Sequence, residues 1–243
     1  MNERIFENLG ERAFEDTLPN GLRIKVVPKR GFARTYAFFA TNYGSMDTRF
    51  QLDGKPYVSP DGVAHYLEHK MFDMPDGNAL QKMSATGASP NAFTSYNLTA
   101  YHFSCTSEFE ENFRTLLQFV SQGYFTQESV EKERGIIAQE INMYADNPGS
   151  RVDENLFRAM YQNHPIRVPV AGTVESIQEI TAQTLIDCHR AFYDPSNMVL
   201  CVVGDVDPRM IRETALEILP KVPGGASERD YGAKEPAAPL MHT

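Results

Sequence analysis

The sequence predicts an α+β fold, a two-layer α/β sandwich in which a mainly antiparallel sheet carries helices on one face. Short alternating segments separated by turns occupy much of the first hundred residues, and longer segments with helical spacing follow them. A hydrophobic content of 42% over 243 residues is enough for a substantial core. This length fits one large domain, or one and a half small ones.

Strands are predicted where apolar residues alternate or cluster between turn signals. Pro19-Asn20-Gly21 is a strong hairpin turn between residues 13–17 and the alternating residues 22–26. Further strands are expected at 35–40, 90–95, 98–104 and 198–203. Residues 43–60 are polar and rich in Gly, Asp and Pro, so we predict a loop there.

Helices are predicted where apolar residues recur every three or four positions. The expected segments are 61–72, 78–85, 108–120, 126–144, 150–162, 181–193 and 208–219. Thr126 is a favourable N-cap residue, and Pro208 suits a first helical turn. From residue 220 onward Pro and Gly cluster and the periodicity stops. We therefore predict a domain over residues 1–219 and a linker or tail over residues 220–243.

Composition excludes several classes of partner. The net charge of −9 disfavours nucleic acid and anionic membranes. The N-terminal residues contain no apolar signal region, and no apolar run approaches the roughly 20 residues of a membrane span. Cys105, Cys188 and Cys201 lack the spacing of a metal or redox motif. They are typical of reduced, mostly buried thiols, so we expect a cytoplasmic protein.

The most informative stretch is His65-Tyr66-Leu67-Glu68-His69, an H-x-x-E-H motif. On a helix, the two imidazoles and the carboxylate share one face. Two such histidines can hold one Zn²⁺, which also needs a third protein ligand and an open position. A carboxylate beside that position can accept a proton from the water that the metal activates. The motif is the inverted form of the zincin signature.

A solvated polar stripe is the alternative interpretation of the same three residues. Apolar neighbours argue against it, because they indicate a largely buried helix: Val63, Ala64, Leu67, Met71 and Phe72. Buried ionisable groups need partners, and a metal ion would supply one. We therefore favour the metal site.

A later helix carries two candidate acidic ligands, Glu133 and Glu140, seven positions apart on the same helical face. On apolarity alone, Ile136, Ile137 and Ile141 form the core stripe and both glutamates lie in solvent, as helix glutamates usually do. The residues by themselves therefore leave the third ligand open.

The chain resembles the insulinase/pitrilysin/mitochondrial-processing-peptidase family of zinc peptidases, and most closely its bacterial branch. That family pairs H-x-x-E-H with a downstream helix of the type found here as Glu133-Arg134-Gly135-Ile136-Ile137-Ala138-Gln139-Glu140-Ile141. Other matching segments are residues 87–95, 171–177 and 193–198. Glu140 follows His69 by 71 positions (140 − 69), a few fewer than in many relatives, which suggests a trimmed loop.

The resemblance implies a role for each motif residue. His65, His69 and Glu140 would bind Zn²⁺, and Glu68 would be the general base. Glu133 would contact a ligand from outside the metal's coordination sphere, orienting it and tuning the metal.

The resemblance also implies where a substrate binds. In the family, the strand matching residues 91–95 is a sheet edge along which a peptide lies as an added strand. Asn91, Ala92 and Phe93 are therefore candidate substrate contacts. Ordinary sheet packing is the alternative for Ala92 and Phe93, and Asn91 could instead hold the turn after Pro90.

Together these observations predict a zinc-dependent endopeptidase that hydrolyses extended peptides with metal-activated water. Residues 1–219 would be its N-terminal catalytic domain, with the processing-peptidase type of metallohydrolase fold. Family members contain at least two homologous domains, so we expect this chain to be a fragment of a longer enzyme, with a homologous peptidase-like subunit as a further candidate partner. The alternative is a non-catalytic zinc-binding or scaffolding subunit of a peptidase-like heterodimer. That interpretation is weaker because inactive members typically lose a motif residue, whereas this chain keeps all of them.

Overall fold

A seven-stranded sheet forms one layer of the structure, a computed structural model in which residues 1–222, 224 and 227–234 are described. In order along the chain, the strands are β1 (Asn2–Phe6), β2 (Glu11–Thr17), β3 (Arg23–Pro28), β4 (Thr35–Thr41), β5 (Arg49–Leu52), β6 (Lys55–Val58), β7 (Asp73–Met74), β8 (Gly77–Asn78), β9 (Ser89–Thr94), β10 (Thr99–Cys105) and β11 (Met198–Gly204). The main sheet has the order β1-β2-β3-β11-β4-β10-β9. All of its neighbouring pairs are antiparallel except β3 and β11.

Helices form the second layer. They are α1 (Val63–Lys70), α2 (Ala79–Ala85), α3 (Phe109–Ser121), α4 (Gln127–Ala145), α5 (Pro148–Met160), α6 (Ala182–Phe192) and α7 (Pro208–Ile218). Strand β4 shows that they cover one face, because its side chains alternate in burial: Ala37 and Phe39 are fully buried, whereas Tyr36 is 36% exposed. The predicted fold class is confirmed.

The prediction of a loop over residues 43–60 is wrong in its second half, where β5 and β6 pair as an antiparallel hairpin. Its turn is Asp53-Gly54, and both residues have positive φ, at 52° and 73°. Asp-Gly with two positive φ angles is a favoured two-residue hairpin turn. The sequence contains this Asp-Gly turn signal, but the polar residues and Pro56 around it hide the alternating pattern typical of strands.

The core stripe predicted on α4 is also partly wrong. Ile137 is fully buried, and Ile141 packs against the core, but Ile136 is 51% exposed. Consecutive residues on a helix point about 100° apart, so Ile136 and Ile137 cannot share a narrow buried face. The inward face of α4 also includes Glu133 and Glu140, which are half-buried.

Helix α5 begins two residues before its predicted start. The side chain of Asn147 accepts a hydrogen bond from the backbone N–H of Ser150 at 3.2 Å, and Pro148 occupies the first turn. Asparagine caps and first-turn prolines are both favourable, so the local sequence explains the earlier start. The helix lies close to α4 and places its charged residues beside the cleft described below.

Part of the segment predicted as a linker or tail contacts the domain. Residues 223, 225, 226 and 235–243 lie outside the described residues, but Arg229 forms an antiparallel bridge with Phe50. The Arg229 guanidinium pairs with the buried carboxylate of Asp47 at 2.9 Å, and the hydroxyl of Tyr231 donates to the same carboxylate at 2.8 Å. The boundary near residue 219 stays a prediction, although α7 ends at Ile218.

Two further findings bear on the composition of the chain. Within the described ranges, no helix has both the length and the apolar character needed to cross a membrane. Cys105 and Cys188 are free and buried, and Cys201 is free and half-buried.

Candidate metal centre

Two glycines, Gly62 and Gly172, make close backbone contacts that fix the start of α1. Gly62, the residue before the helix, has a φ of 89°, and a Cβ at this position would overlap the carbonyl group of Ala171. Gly172 has a φ of 74°, and its Cβ would lie 2.6 Å from the carbonyl oxygen of Asp61. Only glycine tolerates both the positive φ and the close backbone contact. These glycines therefore fix the helix that carries His65 against the 169–175 loop.

Helices α1 and α4 bring three donor groups together. The Nε2 atom of His65 lies 3.6 Å from one carboxylate oxygen of Glu140, and Nε2 of His69 lies 3.3 Å from the other. The three donor atoms lie within 4.8 Å of one another, and no other such group occurs in the part of the chain that the structure describes. The three residues predicted to bind zinc are therefore neighbours in space.

The geometry of these donors fits a tetrahedral zinc ion. Ligand bonds of about 2.0–2.1 Å at a tetrahedral angle place neighbouring donor atoms about 3.4 Å apart. The two nitrogen–oxygen distances, 3.6 Å to one oxygen of Glu140 and 3.3 Å to the other, lie close to that value. Two imidazoles and one carboxylate are also a ligand set of known catalytic zinc sites, with a fourth position left for water or substrate.

Glu133 contacts His69 from the side opposite Glu140. Its carboxylate lies 3.0 Å from Nδ1 of His69, so Nδ1–H donates and Nε2 keeps its lone pair for a metal. The hydrogen bond from His69 holds the pKa of Glu133 below its usual value. Nδ1 of His65 is buried and has no hydrogen-bond partner among the described residues, so this support is confined to one histidine.

The charges around His69 and Glu140 oppose the cost of burial. Burial lowers the pKa of His69, but the hydrogen bond to Glu133 and the charges of Glu140 and Glu68 outweigh it, so the pKa is raised overall. A hydrogen bond with His65 lowers the pKa of Glu140, which stays ionised and able to bind a cation. A bound metal ion would replace the proton that this acidic cluster attracts.

Glu68 lies beside the donor set and makes a different contact. Its Oε2 atom accepts a hydrogen bond from the hydroxyl of Thr94 at 2.6 Å. The carboxylate lines the same cleft as His65 and Glu140 but is not part of the three-donor group. This position suits a proton acceptor next to a metal better than it suits a ligand.

The donors open into a cleft of about 610 Å³. Its walls are β9, the C-terminal end of α4, the inner face of α5 and the 169–175 loop. Strand β9 pairs with β10 on one side and lies at the edge of the sheet, so its other side can accept an added strand. The volume falls in the range of small-ligand and peptide side-chain sites.

The candidate substrate contacts are divided between the cleft and the sheet. Ala92 and Phe93 line the cleft, and Phe93 is 42% exposed. Phe93 also contacts Phe38 on the open face of the sheet, with ring centroids 6.3 Å apart. Asn91 is exposed, and its side-chain oxygen accepts from the backbone N–H of Ala92 at 2.9 Å. Substrate contact by these residues stays a prediction.

Two residues at the site, Thr94 and Tyr144, are not among those that the motif and the resemblance single out. Thr94 lies in the strand predicted at 90–95, and alternation places it on the same face as Ala92. Tyr144 lies one turn after Glu140, and its hydroxyl interacts with that carboxylate. Burial and the charge of Glu140 raise the pKa of Tyr144, so the hydroxyl stays protonated. Helical spacing from Glu140 could have identified it.

An H-x-x-E-H helix facing a glutamate-bearing helix, within a mixed α/β domain, defines the class of inverted zincins. Residues 57–174 match the sequence profile described as insulinase (peptidase family M16), and residues 179–240 match that of the peptidase M16 inactive domain. The chain belongs to the insulinase family. All of the candidate site residues lie within the first match.

The curated relatives are bacterial proteins named as zinc proteases. The uncharacterized zinc protease YmfH of Bacillus subtilis is 52% identical over 208 residues, which are 85% of this chain and 49% of that protein. The uncharacterized zinc protease SCO5738 of Streptomyces coelicolor is 29% identical over 230 residues, which are 91% of this chain and 46% of that protein. The chain thus spans about half the length of these relatives.

Solved structures agree on the fold. An M16-like peptidase from Alicyclobacillus acidocaldarius has a TM-score of 0.86 and 44% identity, covering 91% of this chain and 53% of that chain. A mutant of the ferredoxin protease FusC, solved in complex with Arabidopsis ferredoxin, has a TM-score of 0.78 and 26% identity. That match covers 98% of this chain and 26% of the other.

Proposed function

We propose that this chain carries the catalytic site of a zinc-dependent endopeptidase that cleaves extended peptides. The observation that carries the proposal is the convergence of His65, His69 and Glu140 within 4.8 Å of one another at an open cleft. Glu68 borders the same cleft, and the edge strand β9 forms one of its walls. The names of the relatives support zinc as the metal.

In this proposal, His65, His69 and Glu140 hold the ion. When bound, zinc polarises a substrate carbonyl and lowers the pKa of a water molecule toward about 7. Glu68 accepts a proton from the attacking water and passes it to the leaving nitrogen, as a general base and then a general acid. Glu133 keeps the His69 ring in the orientation and tautomer that present Nε2 to the site.

Strand β9 would orient the substrate. An extended peptide added to its free edge makes backbone hydrogen bonds that do not depend on the peptide's sequence. Alternate substrate side chains would then point into the cleft or over the open face of the sheet. Such positioning can lower an activation barrier by roughly 7–11 kcal/mol.

Replacing Glu68 by Gln tests the assignment. The variant should retain one equivalent of zinc by elemental analysis, because no ligand is lost, while hydrolysis of an unstructured peptide by the intact protein falls by at least about 100-fold. Glu213→Gln on the exposed face of α7 is the matched control and should leave both quantities unchanged. Loss of zinc from the Glu68 variant would mean that Glu68 is a ligand.

A non-catalytic scaffolding role is the second candidate, because residues 179–240 match a profile described as an inactive domain. In this chain, however, that match includes β11, which lies between β3 and β4 in the main sheet. The matched residues are therefore part of the same fold as the site. A zinc-loaded intact protein that fails to cleave any peptide of a diverse unstructured mixture would favour the scaffold.

Partners and location belong to the same proposal. The substrate class is an extended peptide, and a homologous peptidase-like domain or subunit would cover the open side of the cleft. The three free cysteines and the net charge of −9 support a cytoplasmic protein that binds neither nucleic acid nor membranes. Cell fractionation with an antibody to the chain tests the location.

A further inference from the structure

Thr94 connects the edge strand to the candidate base. It is the last residue of β9, and its hydroxyl donates to Oε2 of Glu68 at 2.6 Å, a typical length for a hydrogen bond to a carboxylate. A threonine hydroxyl has one proton, so this contact uses its only donor. The carboxylate has a second oxygen that can act as proton acceptor.

Pairing of β9 with β10 fixes the position of Thr94. Its partner across the β9–β10 ladder is Thr99, which is fully buried. The Thr99 hydroxyl donates to the carbonyl oxygen of Tyr43 at 3.0 Å, and its oxygen lies 3.4 Å from that of Thr94. β-Branched side chains also have few χ1 rotamers. Thr94 is thus a rigid attachment point for the Glu68 side chain.

The turn after β9 does not need the Thr94 hydroxyl. Ser95 holds that turn: its hydroxyl accepts from the backbone N–H of Leu98 at 3.3 Å and lies 3.2 Å from the side-chain oxygen of Asn97. The backbone N–H of Ser95 also donates to the carbonyl of Leu98 at 2.8 Å. The hairpin turn therefore does not require the hydrogen bond between Thr94 and Glu68.

We propose that Thr94 is a positioning residue that fixes the carboxylate of Glu68 relative to a peptide bound along β9. The inference rests on the proposed function, because it assigns Thr94 a role only if Glu68 is the base. A peptide paired with β9 and the carboxylate tied to Thr94 then share one rigid strand. Binding of the substrate and alignment of the base are coupled through a single residue.

Two substitutions separate the hydroxyl from the shape of the side chain. Thr94→Val keeps the branched shape and removes the donor, whereas Thr94→Ser keeps the donor. In the intact zinc-loaded protein, Thr94→Val should lower kcat about 10–100-fold with KM changed less than about threefold. Thr94→Ser should recover most of kcat. Thr17→Val, at the exposed end of β2, is the control and should change neither.

Two readouts do not depend on turnover. Zinc content should stay at one equivalent in every Thr94 variant, because no ligand is altered. A crystal structure of zinc-loaded Thr94→Val should show the Glu68 carboxylate rotated from its position in the parent, and Thr94→Ser should restore it. An unmoved carboxylate in Thr94→Val would overturn the inference.

A double substitution separates failure of this inference from failure of the proposed function. Because Thr94 acts through Glu68, adding Thr94→Val to Glu68→Gln should lower the residual activity no further. If Glu68→Gln is inactive and Thr94→Val matches the parent in kcat, the positioning role is wrong and the proposed function stands. If Glu68→Gln retains full activity, the proposed function itself fails.

Discussion

The roles of the two glutamates on α4 can be separated by the same conservative change at each. Glu140 faces both Nε2 atoms, at 3.6 and 3.3 Å, whereas Glu133 contacts only Nδ1 of His69, at 3.0 Å. Glutamine keeps the length of either side chain and removes its charge. We therefore expect Glu140→Gln to weaken zinc binding far more than Glu133→Gln.

The magnitudes follow from the contacts. In Glu133→Gln, the amide oxygen can still accept the proton of His69 Nδ1, so the loss should be about 10–100-fold in affinity, or about 1.4–2.8 kcal/mol. In Glu140→Gln, the only anionic donor of the three is replaced by a neutral amide. Zinc then keeps two protein ligands, and we expect a loss of about 1,000-fold or more, roughly 4 kcal/mol.

Competition between the protein and a chromophoric zinc chelator measures both affinities at fixed pH. Glu128→Gln, in the exposed first turn of α4, controls for loss of charge on the same helix and should bind zinc like the parent. A Glu133 variant that loses zinc while the Glu140 variant retains it would refute the assignment and exchange the two roles.

Three further predictions concern the scaffold around the site. Gly62→Ala should destabilise the protein by at least about 2 kcal/mol in urea unfolding, because the new Cβ would overlap the carbonyl of Ala171 at a position that already has a positive φ. Gly54→Ala is the control: it also has a positive φ, but nothing lies within 4 Å of its Cβ, so it should cost only about 1 kcal/mol. Burial lowers the pKa of His189 to about 4, from an ordinary value of 6.5. The contribution of the neutral, buried His189 ring to stability is therefore complete above pH 6.5. It is lost as pH falls toward 4, because the unfolded chain binds the proton more readily than the folded one. Between pH 7 and pH 5 we expect this effect to reach about 1–2 kcal/mol, measured as a smaller loss of stability in His189→Gln than in the parent. Arg229→Ala leaves Asp47 buried without its cation, and should cost about 3 kcal/mol and make residues 227–234 sensitive to limited proteolysis.

Local signals explain which elements could be predicted from the sequence. The helix that the sequence predicts at 126–144 is α4, Gln127–Ala145, because Thr126 caps it and accepts from the N–H of Ser129 at 3.2 Å. Strand β1 carries almost no apolar pattern, and its five residues form a strand because β2 pairs with them. Pairing of this kind is a tertiary effect that no local pattern reports.

The candidate site also contains some features that the sequence predicts and others that it does not. The spacing within H-x-x-E-H fixes the relation of His65 to His69, because both lie on α1. The pairing of α1 with α4 across 71 positions could not be derived from periodicity, which favours the apolar residues of α4 and leaves its glutamates in solvent. Only the resemblance to a family identified Glu140. The Thr94 contact depends on how β9 packs against α1, and no spacing rule predicts it.

Several contacts around the site need no metal ion. The hydroxyl of Tyr66 on α1 donates to the backbone carbonyl of Val130 on α4, and the guanidinium of Arg134 donates to the carbonyl of Ile180 at 3.0 Å. Ile137 of α4 is fully buried in the shared core. The Tyr66 contact and the apolar packing hold α1 against α4, and the Arg134 contact ties α4 to the segment just before α6. We therefore expect zinc to enter a site that is already formed.

Chelation should therefore remove zinc without unfolding the domain. The near-UV circular dichroism of the chelated protein should stay close to that of the loaded protein, because the fully buried aromatic side chains pack in the hydrophobic core and are not ligands. Added zinc should raise the free energy of unfolding by mass action, about 2.7 kcal/mol at a free concentration 100 times the Kd. The midpoint of Glu140→Gln should not respond in that concentration range, because its affinity is lost. Collapse of the near-UV signal on chelation would show instead that the metal holds α1 and α4 together, as in zinc-dependent small domains.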